Sequence, residues 1–237
     1  MTRPHLPSPE STLGRVLESA ARLQEAVPDA VLVGGSAAAL YAGHRESLDH
    51  DHVLADLERR FEQVLEAIEA TEGWVTNRVV PGKIILGALG DIEAGVRQMI
   101  RRRPLEIEKI RLPGDRSVRV PTWEETLRIK AYLIVRRNQV RDFLDVAALA
   151  DAGGLDRAAV VLAGIDDYYA DQAHSPDGVA SQLLRQLAEP RPADTAVTRE
   201  LAQYRALEPR WHEWQTTVQV CSEIAARMLL PDNEAPQ

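Results

Sequence analysis

VGGSAAALYAGHRESLDHDHVL, residues 33–54, holds the pieces that decide the fold. The run AVLV at 30–33 reads as a short buried strand that ends at Gly34-Gly35. SAAALYA then supplies about two turns of helix, and Gly43 stops it. LDHDHVL, 48–54, reads as a second strand. Alternate side chains of a strand share a face, so Asp49 and Asp51 point one way while His50 and His52 point the other. One metal ion therefore cannot collect both carboxylates and both imidazoles. Two oxygens on one face suit a hard cation, Mg²⁺ or Mn²⁺, whose octahedron is completed by phosphate and water. The histidines are expected to be packing or surface groups rather than zinc ligands.

The glycines fit the same chemistry. A strand that ends in Gly34-Gly35 and opens a helix exposes backbone N–H groups at a positive helix end, with room for an anion to approach. Ser36 is expected to add its hydroxyl to that cradle, and Arg45 and Ser47 stand just before the acid pair.

Outward from this stretch, a helix is expected from Ser8-Pro9 with an apolar stripe at Leu13, Val16, Leu17, Ala20 and Leu23. Another should run from an Asp56 cap through Phe61, Val64, Leu65 and Ile68 to Gly73. Strand-like pieces follow at 74–80, 83–88, 91–99 and 105–111, punctuated by Pro81-Gly82, Leu89-Gly90 and Pro113-Gly114-Asp115. The character changes at Pro121. Thr122-Trp-Glu-Glu125 is a capping box, and the pattern is helical nearly to the end, with Trp211, Trp214, Val218, Cys221 and Met228 on one face of a last helix. The expected fold class is α+β: a mixed-sheet domain over 1–120 with flanking helices, then an all-helical half over 121–237.

Bulk composition narrows the function. The 237 residues, 45% hydrophobic, can build one large or two small cores. Cys221 is alone, which excludes an intramolecular disulfide and a Cys-based zinc site. No apolar run approaches a membrane span, so a soluble cytoplasmic protein is expected. The net charge of −8 argues against a generic nucleic-acid binder, yet residues 97–141 hold thirteen Lys or Arg against five Asp or Glu. Such asymmetry suits a phosphate-bearing ligand in a local groove.

The combination resembles the nucleotidyltransferase fold, and within it the AbiEii-type nucleotidyltransferases of bacterial toxin–antitoxin and phage-defence systems. Gly35-Ser36 followed by Arg45-Glu-Ser47-Leu-Asp49-His-Asp51 matches the first signature of that family. Lys130 followed by Arg141-Asp142-Phe143-Leu144-Asp145 matches the second, and together they frame residues 33–149. His50 stands where relatives often carry an apolar or aromatic residue.

What the resemblance implies is transfer of a nucleoside monophosphate from an NTP (ATP, GTP or CTP) to an acceptor hydroxyl with release of pyrophosphate. Asp49 and Asp51 would hold one or two metal ions, and Gly34, Gly35, Ser36, Arg45 and Ser47 would hold the nucleotide phosphates. Lys130 would meet the charge on the leaving group, with Asp142, Asp145 or both reaching back to the site through it. Replacing Lys130 is expected to cut turnover with little loss of stability. The wider superfamily adds a third carboxylate from a neighbouring strand. Asp91 and Glu93 share a face, and Glu93, further into the strand, is favoured.

The implied acceptor is an RNA, tRNA first, or a protein hydroxyl, and the implied partner is a cognate antitoxin. Alternatives are a small-molecule (antibiotic-type) nucleotidyltransferase, a non-catalytic nucleotide- or partner-binding member, and a His-Asp phosphohydrolase. The last places its His-Asp pair on a helix, which the strand-like setting of His50-Asp51 opposes.

Overall fold

The computed structural model describes residue 2 and residues 4–172, 177–204 and 206–230. Two units divide the chain, residues 3–126 and residues 127–237 with 1–2. The division falls inside a helix, Trp123–Arg137, rather than at Pro121. The reason is local. Trp123 is buried, and Glu125 pairs with buried Arg101 at 2.7 Å, which commits the first turn of that helix to the α/β unit. Residues 1, 3, 173–176, 205 and 231–237 of the expected domain ranges lie outside the described residues.

The first unit runs α1 (Thr12–Ala26), β1 (Val31–Val33), α2 (Gly34–Ala42), β2 (Asp49–Leu54), α3 (Phe61–Glu69), β3 (Trp74–Val80), β4 (Ile84–Leu89), β5 (Ile92–Gln98), β6 (Ile107–Arg111) and β7 (Ser117–Pro121). Five strands form one sheet in the order β1-β2-β5-β4-β3, and β6 and β7 form a separate ribbon. Tight turns at Gly82 and Gly90, both at positive φ, make β3, β4 and β5 antiparallel neighbours. β2 and β5 are parallel, and such a pair needs a long crossover. The intervening α3 and the β3–β4 hairpin supply it.

Period-two burial then separates the two faces. His50, His52 and Leu54 of β2 and Ile92, Ala94 and Val96 of β5 are buried. Leu54, Ala94 and Val96 pack against Leu23 of α1 and Phe61, Val64 and Ile68 of α3. The opposite face carries Asp49, Asp51 and their β5 neighbours.

Three expectations change at this level. α1 begins at Thr12, because Ser8–Ser11 form a turn: the Ser11 amide donates to the Ser8 carbonyl (3.0 Å) and Ser11 Oγ accepts the Gly14 amide (3.1 Å). Asp56 does not cap α3, which starts at Phe61; its carboxylate instead takes Arg60 Nε at 2.9 Å. β7 was not anticipated. Its signal, buried Val118 and Val120 on alternate positions after the Pro-Gly-Asp turn, was in the sequence but ended in a proline.

The second unit continues α4 (Trp123–Arg137) through α5 (Val140–Gly153), α6 (Leu155–Ala163), α7 (Asp166–Tyr169), α8 (Gly178–Ala188) and α9 (Trp214–Met228), with short 3₁₀ turns between the last two. Trp211 lies in such a turn, and the buried face of α9 is Thr217, Val220, Cys221, Ile224 and Ala225, so Val218 and Met228 are only partly covered. Phe143 of α5 meets Trp214 edge to face at 6.0 Å between ring centroids. Among the described residues no helix is long and apolar enough to cross a membrane.

Candidate functional site

Asp51 lies opposite Val33 of β1 and opposite Gly95 of β5, and Asp49 lies opposite Glu93. The acid pair is therefore set into the middle of the sheet, beside the point where β1 passes into α2. Gly34 takes a positive φ of 79° to make that passage, and its missing Cβ would sit 3.5 Å from Asp51 Oδ2. A Cβ at Gly35 would come within 2.7 Å of Ser47 Oγ and about 3.0 Å of the Arg45 guanidinium. The first turn of α2, Arg45 and Ser47 thus converge on space that only a glycine leaves open.

Hydrogen bonds orient the acids. Ser47 Oγ donates to Asp49 Oδ1 at 3.1 Å, and Arg97 Nε donates to Asp51 Oδ1 at 3.3 Å. Both Arg45 and Ser47 are buried, with the Arg45 guanidinium also on the Glu46 carbonyl.

Ser36 corrects the sequence expectation. It is fully buried, and its hydroxyl donates to the Asp49 carbonyl at 2.6 Å. Its proton ties α2 to β2 and is not directed at a phosphate. The predicted third carboxylates separate as well. Asp91 precedes β5, is exposed and pairs with Arg15 at 2.5 Å, which lowers its pKa. Glu93 is exposed beside Asp49. Among the described residues no group of three or more His, Cys, Asp or Glu side chains is gathered that could hold a metal ion. The donors fit a hard cation held by two carboxylates, with the remaining positions left to phosphate and water.

Behind the acids, the imidazoles are packing groups. His50 Nε2 meets Ser19 Oγ at 3.1 Å, and the two Nδ1 atoms stand 3.4 Å apart. Burial lowers the His50 pKa from 6.5 to about 4, against a smaller opposing pull from Asp49, and burial pushes His52 well down too. The neutral forms are thus favoured by folding. Stability from this source is fully present above the unfolded pKa of 6.5 and is lost as pH falls toward 4. For His50 alone it amounts to about 3 kcal/mol. Urea unfolding followed by far-UV circular dichroism at a series of pH values should show this loss between those values, and His50→Leu should reduce it, leaving the part due to His52.

In the helical unit, Lys130 Nζ binds Asp145 Oδ2 at 2.7 Å with side-chain exposures of 3% and 0%. Asp142 is held separately, by a two-bond fork from Arg137 at 2.6 and 2.7 Å. The second signature therefore forms two ion pairs between α4 and α5, and only Asp145 of the two acids serves Lys130. One residue at the acid pair has no counterpart among the site residues expected from the sequence: Arg97. The 93-95-97 alternation along β5 was the available signal.

Comparison with known proteins bears on this arrangement. The heme uptake protein MmpL11 of Mycobacterium tuberculosis (strain ATCC 25618 / H37Rv) is 30% identical over 249 residues, covering 93% of this chain and 23% of that protein. The mycolic acid-containing lipids exporter MmpL11 of Mycolicibacterium smegmatis is 39% identical over 129 residues, covering 54% of this chain and 13% of that protein. The chain spans less than a quarter of the length of these curated relatives. The crystal structure of JHP933 from Helicobacter pylori has the same fold, with a TM-score of 0.50 at 18% identity over 94% of this chain and 93% of that one. Residues 15–220 match the family model for the nucleotidyl transferase AbiEii toxin of type IV toxin–antitoxin systems. With that match spanning the sheet, the acid pair and most of the helical unit, the chain belongs to the AbiEii nucleotidyltransferase family.

Proposed function

We propose that the chain moves a nucleoside monophosphate from an NTP to an acceptor hydroxyl and releases pyrophosphate. The observation that carries this reading is the convergence of Asp49, Asp51, Arg45 and Ser47 on the glycine-built first turn of α2. Asp49 and Asp51 would hold Mg²⁺ or Mn²⁺, with Glu93 available to an ion or its water beside Asp49. When bound, the ion would neutralise the triphosphate and lower the pKa of the attacking hydroxyl. Gly34 and Gly35 let phosphate oxygens approach the backbone N–H groups of α2, and the Arg45 guanidinium adds a fixed positive charge. Ser47 keeps Asp49 turned toward that space. The family resemblance gives Lys130 a charge for the leaving pyrophosphate; within the helical unit it is clasped by Asp145, and Arg137 and Asp142 brace the same pair of helices.

The proposed acceptor is RNA, with tRNA favoured over a protein hydroxyl. The excess of Lys and Arg over 97–141 in an otherwise acidic chain supports a polyanion. A cognate antitoxin is the proposed partner, following the family's description. The proposed compartment is the cytoplasm, where NTP, divalent cation and tRNA coexist. Activities in the names of the much longer relatives stay with those proteins.

Incubation of the purified protein with each α-³²P-labelled NTP, Mg²⁺ and either tRNA, total RNA or no addition tests the acceptor. Label on tRNA with one NTP is the expected result. Label on the protein alone moves the acceptor to a protein hydroxyl, and no label from any NTP contradicts the reading.

The cradle makes a separate prediction. Gly35→Ala puts a methyl carbon within 2.7 Å of Ser47 Oγ, so Ser47 and Arg45 must shift. Turnover should fall by about 10²-fold with weaker NTP binding, while the fold is retained. Steady-state kinetics with near-normal kcat and KM would detach this turn from the nucleotide.

A further inference from the structure

Asp51 has an oxygen on each of two sides. Oδ2 faces the Gly34 turn, and Oδ1 faces β5, where the register brings Gly95 opposite and Arg97 two residues on along the same face. A Cβ at Gly95 would stand 3.0 Å from Asp51 Oδ1, so the glycine keeps the path between arginine and carboxylate clear. Arg97 Nε uses that path, at 3.3 Å, with both side chains part-exposed at 42% and 34%. A third acid next to Asp51 would have strengthened the grip on a bare cation. The chain instead places a positive charge there.

We infer that Arg97 is a specificity-determining residue that makes the acid pair discriminate against a bare divalent cation in favour of the cation–triphosphate complex. This inference rests on the reading that Asp49 and Asp51 hold the cation. An arginine on Asp51 competes with an incoming ion for Oδ1 and repels its charge, which opposes binding of the ion alone. A metal–triphosphate complex carries net negative charge, so the same guanidinium attracts it, and on leaving Asp51 it gains phosphate oxygens as acceptors. The exchange is easy because the pair is half in water, where such bridges are weak. Arg97 therefore lets the ion and the nucleotide arrive together and disfavours an idle metal-loaded state.

Mn²⁺ alone, followed by electron paramagnetic resonance, and Mg²⁺–tripolyphosphate, followed by calorimetry, give two dissociation constants for each of three proteins. These are the wild type, Arg97→Gln and Arg102→Gln, the last an exposed arginine outside the acid pair that controls for net charge. Arg97→Gln should tighten Mn²⁺ by about three- to tenfold and weaken the tripolyphosphate complex, so the ratio of the two constants shifts well beyond that of Arg102→Gln. An equal ratio in the two variants overturns the inference. Asp51→Asn separates its failure from that of the site: Mn²⁺ binding insensitive to Asp51→Asn would overturn the metal reading, and the Arg97 inference with it.

Discussion

Asp49→Asn and Asp51→Asn should each lower nucleotidyl transfer by ~10³-fold or more, with the far-UV signal of the fold intact. Asparagine keeps the shape of each side chain, so the β2–β5 register and the Ser47 contact have no steric reason to change. What is lost is an anionic ligand. A metal ion supplies several kcal/mol of charge stabilisation at a transferring phosphoryl group, and each 1.36 kcal/mol is tenfold in rate. The two acids share that one task, so the double variant should be little worse than either single one. Pyrophosphate release is the readout. Glu93→Gln should cost less than either but more than Asp91→Asn, because Glu93 stands beside Asp49 whereas Asp91 is spent on Arg15. Full turnover in both Asp49→Asn and Asp51→Asn would end the assignment.

Lys130→Met is expected to unfold or severely loosen the helical unit, by about 3–5 kcal/mol. The role implied by the family resemblance carries the expectation that replacing Lys130 costs little stability. Its burial reverses that expectation. Removing the ammonium takes away the 2.7 Å ion pair of the fully buried Asp145 carboxylate, and breaking a buried pair costs far more than the pair is worth. The double variant Lys130→Met/Asp145→Leu removes both buried charges, and should recover most of the lost stability in urea unfolding. That folded double variant is also the clean test of chemistry. Turnover lowered by about 10² in it supports a role for the pair in the reaction, whereas wild-type turnover reduces the pair to a clasp between α4 and α5.

The parts of this site that the sequence made legible are those set by period and by turn chemistry. Strand alternation was enough to put Asp49 and Asp51 on one face and both histidines on the other, and the buried-and-open pattern of β2 follows it. Gly43 ended α2 in the left-handed conformation that favours glycine. What the sequence could not provide is the partner across a gap. The parallel pairing of β2 with β5 spans more than forty residues, so nothing local says that Gly95 and Arg97, rather than another acid, lie against Asp51. The same holds for Ser36, whose hydroxyl seemed free until the Asp49 carbonyl was placed above it. Lys130 reads as a surface residue by type, and only packing of α4 on α5 shows that its charge is enclosed with Asp145.

Parallel reactions with α-³²P- and γ-³²P-labelled NTP, tRNA and Mg²⁺ test the central claim most directly, because they ask which phosphorus leaves with the acceptor. Nucleotidyl transfer at the Asp49–Asp51 pair predicts label on the acceptor from the α position only, γ label recovered in pyrophosphate, and neither product with Asp51→Asn. Label on the acceptor from the γ position, or α-label transfer undiminished in Asp51→Asn, would contradict it.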